Sequence, residues 1–199
     1  MVRVLRRAVP LAVILALFVQ VDAFATVANV TISNFKFTPN LAKLRIGDSV
    51  LWTNDGPSSH TTTSDAPLSL WDSGTLGPGQ TFSWPFNAGG AYYYHCAIHA
   101  NMHGIIAVRG MATPPSGPAG TQFTVRVSKI VAPPQYVYDI QMKAPAGNWQ
   151  DWMTDVTAAA VIWDSTDAGA GLYQFRSRLR RIADGAASNY SPASKVMVT

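Results

Sequence analysis

Short runs of alternating apolar and polar residues recur along most of the chain, and turn-forming glycine, proline, asparagine and serine separate them. Alternation with a period of two, rich in β-branched and aromatic side chains, is typical of half-buried β-strands. No comparable run has the period of an amphipathic helix. The pattern predicts an all-β protein with strands at residues 27–32, 42–46, 49–53, 80–86, 92–96, 104–108, 123–127, 136–142, 158–163, 173–179 and 195–198.

The segment MATPPSGPAG, residues 111–120, interrupts the alternation with a proline, glycine and serine composition that is typical of linkers. Short strands at regular spacing on both sides of this segment favour β-sandwiches. We therefore predict two small all-β domains, at residues 26–110 and 121–199, joined by a linker at residues 111–120. The first domain is expected to fold without the second.

The N-terminal 25 residues have the pattern of a secretory signal peptide. Arg3, Arg6 and Arg7 precede an apolar run at residues 8–21, and the small-x-small sequence Ala-Phe-Ala at residues 23–25 suits signal peptidase. An uncleaved membrane anchor is the alternative, but the run is short for a bilayer span. The sequence thus predicts an exported protein, either periplasmic or extracellular, with no stable membrane insertion after cleavage.

The charge of the chain argues against nucleic acid as a partner. The formal net charge is +4, from 15 basic and 11 acidic residues. Removing the three arginines and Asp22 of the predicted signal peptide leaves 12 basic and 10 acidic residues, or +2. A nearly neutral protein lacks the electrostatic footprint of a nucleic-acid-binding domain.

The segment YYYHCAIHANMHG, residues 92–104, concentrates the candidate chemistry. It contains Cys96, the only cysteine of the chain, together with three of the four histidines and a methionine. A single cysteine cannot form an internal disulfide, so in an exported protein it indicates an intermolecular bridge or a reactive or metal-bound thiol. Taken alone, Cys96 would also fit a buried, inert core thiol.

The residues near Cys96 favour a metal-bound thiol. Cys96, His99 and Met102 have the spacing C-x2-H-x2-M, and the one histidine outside this segment, His60, lies in a turn-rich loop after the predicted strand 49–53. A thiolate, two imidazoles and a thioether form a soft ligand set that suits copper, whereas zinc accepts the thiolate and imidazoles but rarely a methionine. Two loops at one end of a sandwich would enclose the ion.

With these residues, the chain resembles the cupredoxins, the small blue copper proteins, and within them the plastocyanin/amicyanin group. The resemblance covers roughly residues 27–109 and includes FKFTPNLAKLRIGDSVLWTND before His60, LGPGQTFSWPFNAGGAYYYHC up to Cys96, and M-x-G-x-I-x-V from Met102. It implies a Greek-key β-sandwich with one type 1 copper per chain. His60, Cys96 and His99 would be the equatorial ligands, and Met102 would be the weak axial ligand.

The resemblance also implies a function without catalysis: a one-electron carrier between redox partner proteins, with no catalytic residues. The edge of His99 would be the electron port, ringed by Ala97, Ala100 and Pro57. The chain departs from many family members at Thr61, where they have an asparagine that ties the two ligand loops together. We therefore expect a shifted reduction potential or a looser loop.

Two other functions stay open, and one of them depends on His95. Because neighbouring residues on a strand point to opposite faces, His95 is expected to face away from a metal bound by Cys96. A histidine before the cysteine binds a second copper in copper nitrite reductases, with further histidines, whereas here only His103 is spare. The alternatives are therefore a copper storage or delivery protein and a copper enzyme with a second metal site.

Residues 121–199 resemble a fibronectin type III module, most clearly in the segment 171–198, where Tyr173 would be the corner tyrosine of that family. No clear first strand precedes residues 123–127. Alternation places Gln174, Arg176, Arg178 and Arg180 on the outer face. This basic stripe is interpreted as a solvated sheet face, with docking of a cell-surface or polymer ligand as the alternative.

Overall fold

The computed structural model describes residues 25–199, so the signal-peptide prediction for residues 1–25 lies almost entirely outside the described residues. Within residues 25–199 the fold is all-β, as the alternation predicts, and none of the described residues forms a helix. No helix long and apolar enough to cross a membrane occurs in this part of the chain. The strands are Val27–Ser33 (β1), Lys36–Thr38 (β2), Leu41–Arg45 (β3), Ser49–Asn54 (β4), Thr63–Ser64 (β5), Thr81–Pro85 (β6), Gly90–Cys96 (β7), His99–Arg109 (β8), Met111–Thr113 (β9), Ser116–Gly117 (β10), Gln122–Arg126 (β11), Tyr136–Lys143 (β12), Gln150–Val156 (β13), Ala160–Asp164 (β14), Gly171–Arg181 (β15) and Ser194–Val198 (β16).

The first sandwich consists of two four-stranded sheets, β2-β1-β4-β6 and β3-β8-β7-β5. In each sheet one neighbouring pair is parallel, β1 with β4 and β3 with β8, and the other pairs are antiparallel. Strict alternation on β7 buries Tyr92, Tyr94 and Cys96, while Tyr93 and His95 lie on the other face. The packing between the sheets thus carries the thiol of Cys96 inward, at the end of its strand.

Aromatic residues from both sheets fill the core beneath this end of the sandwich. The Trp52 indole from β4 lies edge-on to the Tyr94 ring from β7, with ring centroids 5.6 Å apart. Trp71, from the loop after β5, packs against both of these rings. Large buried aromatic surfaces dominate the energetics of such a core, so β7 has a rigid support below the candidate ligands.

The second sandwich packs the three-stranded sheet β14-β11-β9 against the five-stranded sheet β10-β16-β15-β12-β13. Trp163 from β14 makes the central contact: its ring lies 4.6 Å from the Tyr173 ring and 5.4 Å from the Phe175 ring, both on β15. The prediction of a second β-sandwich therefore agrees with the structure.

The predicted linker is wrong for most of its length, because residues 111–117 belong to the second sandwich. Met111–Thr113 pairs antiparallel with β11, and Ser116–Gly117 pairs parallel with β16. These two short strands supply the first strand that the sequence lacked before residue 122. The proline and glycine residues of this segment lie where the chain crosses from the edge of the three-stranded sheet (β9) to the edge of the five-stranded sheet (β10). They do not form a free linker.

The two sandwiches contact each other through direct backbone hydrogen bonds. The Gly89 amide donates to the Val127 carbonyl at 2.8 Å, and Ala91 and Asn189 exchange two hydrogen bonds at 2.9 and 3.2 Å. The Arg181 guanidinium also donates to the carbonyl oxygens of Pro67 and Leu68. The division of the chain into two domains near residue 110 stays a prediction. These contacts are expected to stabilise the first sandwich, so removing the second sandwich would take them away.

Candidate metal centre

The Cys96 and His99 side chains are brought together by the tight turn between β7 and β8. Cys96 is the last residue of β7, His99 is the first residue of β8, and the two are partners across the turn. Alternation on β7 directs Cys96 into the sandwich, and the turn brings His99 back above it. The short sequence spacing of these two residues therefore already determines their proximity.

His60 reaches the same place from the loop between β4 and β5. Its backbone exchanges two hydrogen bonds with Leu76, at 3.0 and 2.7 Å, which fixes the loop across the end of the sandwich. The His60 side chain is only 1% exposed. This backbone pairing with Leu76 positions the buried imidazole of His60 at the end of the sandwich that carries Cys96 and His99.

The three donor atoms form a triangle of the size that one metal ion requires. Cys96 Sγ lies 3.8 Å from His60 Nδ1 and 3.6 Å from His99 Nδ1, and the two Nδ1 atoms are 3.1 Å apart. The point equidistant from these atoms is about 2 Å from each, close to the ~2.0–2.3 Å bonds that imidazole and thiolate make to a metal ion such as zinc. Within residues 25–199, His60, Cys96 and His99 form the one group of three or more histidine, cysteine or acidic side chains placed to hold a metal ion.

The protonation state of the site also suits metal binding. Burial lowers the pKa of His60 below its ordinary value of 6.5, and the charge of neighbouring His99 lowers it further. A metal ion binds the neutral imidazole, so this environment favours the ligating form. A thiolate with two imidazoles is a soft ligand set that suits copper.

Met102 lies on β8, three residues beyond His99, and its side chain is 2% exposed. It is therefore buried at the same end of the first sandwich as the three donors. Its predicted role as the weak axial ligand stays a prediction.

Thr61 ties the two ligand loops together. Its backbone amide donates to Cys96 Sγ at 3.3 Å, and its hydroxyl oxygen accepts a hydrogen bond from the Ala97 amide at 2.7 Å. The hydroxyl also lies 2.9 Å from that of Thr63. The threonine hydroxyl therefore makes an inter-loop hydrogen bond, and the expected shift in reduction potential or looser loop stays a prediction.

Sequence reasoning missed Phe35, which lies in the turn between β1 and β2 and contacts both imidazoles. Its ring centroid is 4.8 Å from that of His99 and 5.7 Å from that of His60. Phe35 is distant from His60 and His99 in the sequence, so no local pattern predicts that its ring contacts theirs. The one available signal was a phenylalanine in the Asn34-Phe35 turn, where glycine is usual.

His95 and His103 do not contribute donor atoms to the three-residue group. His95 Nδ1 lies 2.5 Å from a carboxylate oxygen of Asp65, in the loop after β5. His103 Nε2 lies 2.9 Å from the Ala100 carbonyl oxygen. Although their ring centroids are 6.5 Å apart, each histidine is engaged by its own neighbour.

The basic stripe of the second sandwich is largely paired within the sheet. Arg178 and Arg180 both donate to the buried carboxylate of Asp139, at 3.0 and 2.9 Å, and Arg180 also binds Asp155. Arg176 binds Gln141, and its guanidinium lies over the rings of Trp149 and Tyr190. These internal contacts agree with a solvated sheet face, and docking of a ligand there stays a prediction.

No protein-family model matches the chain, and no curated protein matches it. Part of the chain is similar to solved cupredoxin structures. A purple cupredoxin from Nitrosopumilus maritimus is 27% identical, with a TM-score of 0.39 over 41% of this chain and 98% of that chain. An oxidised amicyanin mutant is 25% identical, with a TM-score of 0.39 over 40% of this chain and 79% of that one. A reduced Cu(I) form of another amicyanin mutant is 27% identical, with a TM-score of 0.39 over 45% and 86%.

Proposed function

We propose that the protein is a type 1 copper protein that carries one electron at a time between redox partners and has no catalytic site. The observation that supports this function is the triangle of Cys96 Sγ, His60 Nδ1 and His99 Nδ1. Copper held by two histidines and a cysteine supplies one-electron chemistry.

Each residue of the site has a separate task in this proposal. Cys96 supplies the thiolate, His60 and His99 supply neutral imidazoles, and Met102 supplies a weak fourth ligand. The Thr61 amide, which donates to Cys96 Sγ, stabilises negative charge on the sulfur. Because strand ends and hydrogen-bonded loops hold these side chains, the donors need to move little between oxidation states.

His99 is the proposed electron port, because it is the least buried of the three donors. Pro57 in the β4–β5 loop, Ala97 in the β7–β8 turn and Ala100 at the start of β8 are exposed, and they offer small apolar surface for a partner. Redox proteins that approach this surface would come close to the imidazole edge of His99. The proposed electron donor and electron acceptor are both redox proteins.

Export and a role for the second sandwich complete the proposal. The signal-peptide pattern supports a periplasmic or extracellular location. The strand orders β14-β11-β9 and β16-β15-β12-β13 support a fibronectin type III-like module, and such a module would space or attach the copper domain at a cell surface or polymer. Fold similarity alone does not supply its ligand.

Copper storage or delivery and a two-metal enzyme are the alternatives. The contact between His95 Nδ1 and Asp65 argues against the enzyme, since it engages the ring nitrogen on the face away from Cys96. A storage protein would bind copper without rapid electron exchange. Fast electron self-exchange of the copper-loaded protein would therefore favour the carrier.

The decisive test is the spectrum and metal content of the full mature chain loaded with copper. We expect an intense blue or green thiolate–Cu(II) absorption band, a type 1 EPR signal and one copper per chain. Cys96→Ser should abolish the band, because a hydroxyl is too hard a ligand to replace the thiolate. A colourless Cu(II) adduct of the wild-type protein would contradict the proposal.

A further inference from the structure

The turn that joins β1 to β2 has an unusual residue in its second central position. Ser33 and Lys36 are cross-strand partners, so Asn34 and Phe35 form a two-residue hairpin loop. Both have positive φ, 48° and 56°, as in the type I′ turns that match the twist of a hairpin. Asparagine is common at the first central position, whereas the second usually holds glycine.

Phenylalanine is therefore an unfavourable choice for the local backbone. A bulky L-residue in the left-handed region lowers the folding equilibrium constant roughly five- to thirtyfold relative to an unstrained conformation. Burial in the core does not offset this effect, because the Phe35 side chain is 54% exposed. Neither the turn nor the hydrophobic core explains phenylalanine at this position, and such outliers cluster at functional sites.

The contacts of the Phe35 ring supply an explanation. The ring stands almost perpendicular to both imidazoles, at 84° to His99 and 79° to His60, with centroids 4.8 and 5.7 Å away. Edge-to-face packing at these distances is a favoured arrangement for aromatic rings. One exposed side chain thus spans the two imidazoles whose Nδ1 atoms form one side of the donor triangle.

His99 has a particular need for such a contact. A metal-binding histidine usually donates its other ring N–H to a carboxylate, a backbone carbonyl or water, and a protein acceptor there fixes the plane of the ring. Within residues 25–199, the His99 ring makes polar contacts only through Nδ1, with Cys96 and His60. Rotation about the last side-chain bond of a histidine is soft, so the polar contacts alone leave the plane of His99 weakly defined.

We propose that Phe35 is a positioning residue that fixes the planes of His99 and His60, and with them the directions of both Nδ1 lone pairs. The inference rests on the proposed function, since it assigns Phe35 to the copper site. The strained turn holds the phenylalanine ring against both imidazoles, and this aromatic contact fixes the plane of the His99 ring, for which residues 25–199 supply no acceptor beyond the contacts of Nδ1.

Four variants of the mature full-length chain separate the ring from the backbone. Phe35→Ala and Phe35→Gly both remove the ring, but only glycine relieves the backbone. Phe35→Leu keeps apolar bulk without an aromatic edge, and Phe35→Tyr keeps the aromatic ring. Asn34→Gly is the matched control, because it relaxes the neighbouring turn position and leaves Phe35 in place.

The first measurement uses the metal-free protein, so it does not depend on copper chemistry. We expect the NMR signals of the His99 and His60 ring protons to lose their ring-current shift and to broaden in Phe35→Ala, Phe35→Gly and Phe35→Leu. Phe35→Tyr and Asn34→Gly should retain the wild-type signals. Unchanged imidazole signals in Phe35→Ala, or equal changes in Asn34→Gly, would overturn the proposal.

The second measurement is chemical denaturation of the same metal-free variants. Phe35→Gly should have a folding equilibrium constant roughly five- to thirtyfold higher than Phe35→Ala, because both lack the ring and only alanine retains the strained φ. Equal stability of these two variants would overturn the argument that the turn is strained to hold the ring.

The third measurement compares the copper-loaded proteins by EPR. Broader copper lines in Phe35→Ala than in the wild type and Phe35→Tyr would support positioning, because unfixed imidazole planes produce a spread of ligand geometries. Identical line widths would overturn it. If the wild type binds no copper through Cys96, the proposed function fails by itself, while the metal-free imidazole signals still decide whether Phe35 orients the two rings.

Discussion

The backbone amide of Thr61 points at the Sγ atom of Cys96, 3.3 Å away, across a sequence separation of 35 residues. The side chain of the same threonine accepts a hydrogen bond from the Ala97 amide, so one residue holds the sulfur and the turn after it. This pairing joins the loop that carries His60 to the turn that carries Cys96 and His99. Contacts of this kind to the ligating sulfur tune the potential of blue-copper sites.

Replacing the Thr61 hydroxyl should loosen the turn after Cys96. Thr61→Val removes the acceptor for the Ala97 amide and keeps the backbone amide that donates to Cys96 Sγ. We expect the unfolding free energy to fall by about 1 kcal/mol, the typical loss of one hydrogen bond. Amide hydrogen exchange at Ala97 should become faster. Thr61→Ser, which keeps the hydroxyl, is the control, and unchanged Ala97 protection in Thr61→Val would contradict the prediction.

His95 should be dispensable for copper binding. Its ring is engaged by Asp65 on the face of β7 opposite to Cys96. His95→Ala should therefore keep one copper per chain and a nearly unchanged thiolate–copper band, because it removes only a partly exposed contact with Asp65 worth at most about 1 kcal/mol. Asp65→Asn removes the carboxylate from the same contact and keeps His95, so it is the matched control. Wild-type protein with two coppers, falling to one in His95→Ala, would instead indicate a second metal site.

The buried carboxylate of Asp139 should be important for the stability of the second sandwich. Asp139 is 2% exposed and accepts hydrogen bonds from both Arg178 and Arg180. Asp139→Asn should lower the unfolding free energy by about 3 kcal/mol, because it removes the charge that two partly buried guanidinium groups require. Asp155→Asn is the control, since its carboxylate is mostly exposed and, within residues 25–199, contacts Arg180 alone; it should cost less than about 1 kcal/mol.

The same carboxylate predicts how stability depends on pH. Burial alone would raise the pKa of Asp139, but the hydrogen bonds from Arg180 and Arg178 outweigh it, so the pKa lies below its ordinary value of 3.8. A lowered folded-state pKa stabilises the protein above pH 3.8, and this contribution is lost as the pH falls through the folded pKa. Denaturation midpoints should be measured from pH 6 downward. Below about pH 4 they should fall more steeply for the wild type than for Asp139→Asn. Parallel pH profiles for the two proteins would contradict this assignment.

Removing residues 111–199 should weaken the first sandwich, although all the candidate ligands precede this segment. The truncation removes the hydrogen-bond partners of Gly89 and Ala91 and the Arg181 guanidinium that binds the Pro67 and Leu68 carbonyls. We expect the unfolding free energy of the first sandwich to fall by about 1–3 kcal/mol, the scale of a few lost hydrogen bonds. Chemical denaturation of the truncated chain and of full-length Arg181→Ala would measure this loss. Equal midpoints for the truncated and full chains would favour the independent domain that the sequence predicts.

Local patterning by itself predicted eleven of the sixteen strands that the structure describes, and half of the candidate site. Because side chains alternate across a strand, the sequence around Tyr92, Tyr94 and Cys96 predicts a thiol that faces inward. The C-x2-H spacing then predicts that His99 returns above Cys96 across a tight turn. These features depend on residues close together in the sequence, so no knowledge of the tertiary contacts was needed to predict them.

Only the tertiary structure decided which distant residues complete the site. The Leu76 backbone holds His60 in place, the Thr61 hydroxyl reaches Ala97, and the β1–β2 turn places Phe35 over two imidazoles. The same applies to residues 111–117, whose proline and glycine are typical of a linker although they form strands at two sheet edges. Pairing between distant segments depends on register and packing across the whole sandwich, and these interactions leave no periodic signal in the local sequence.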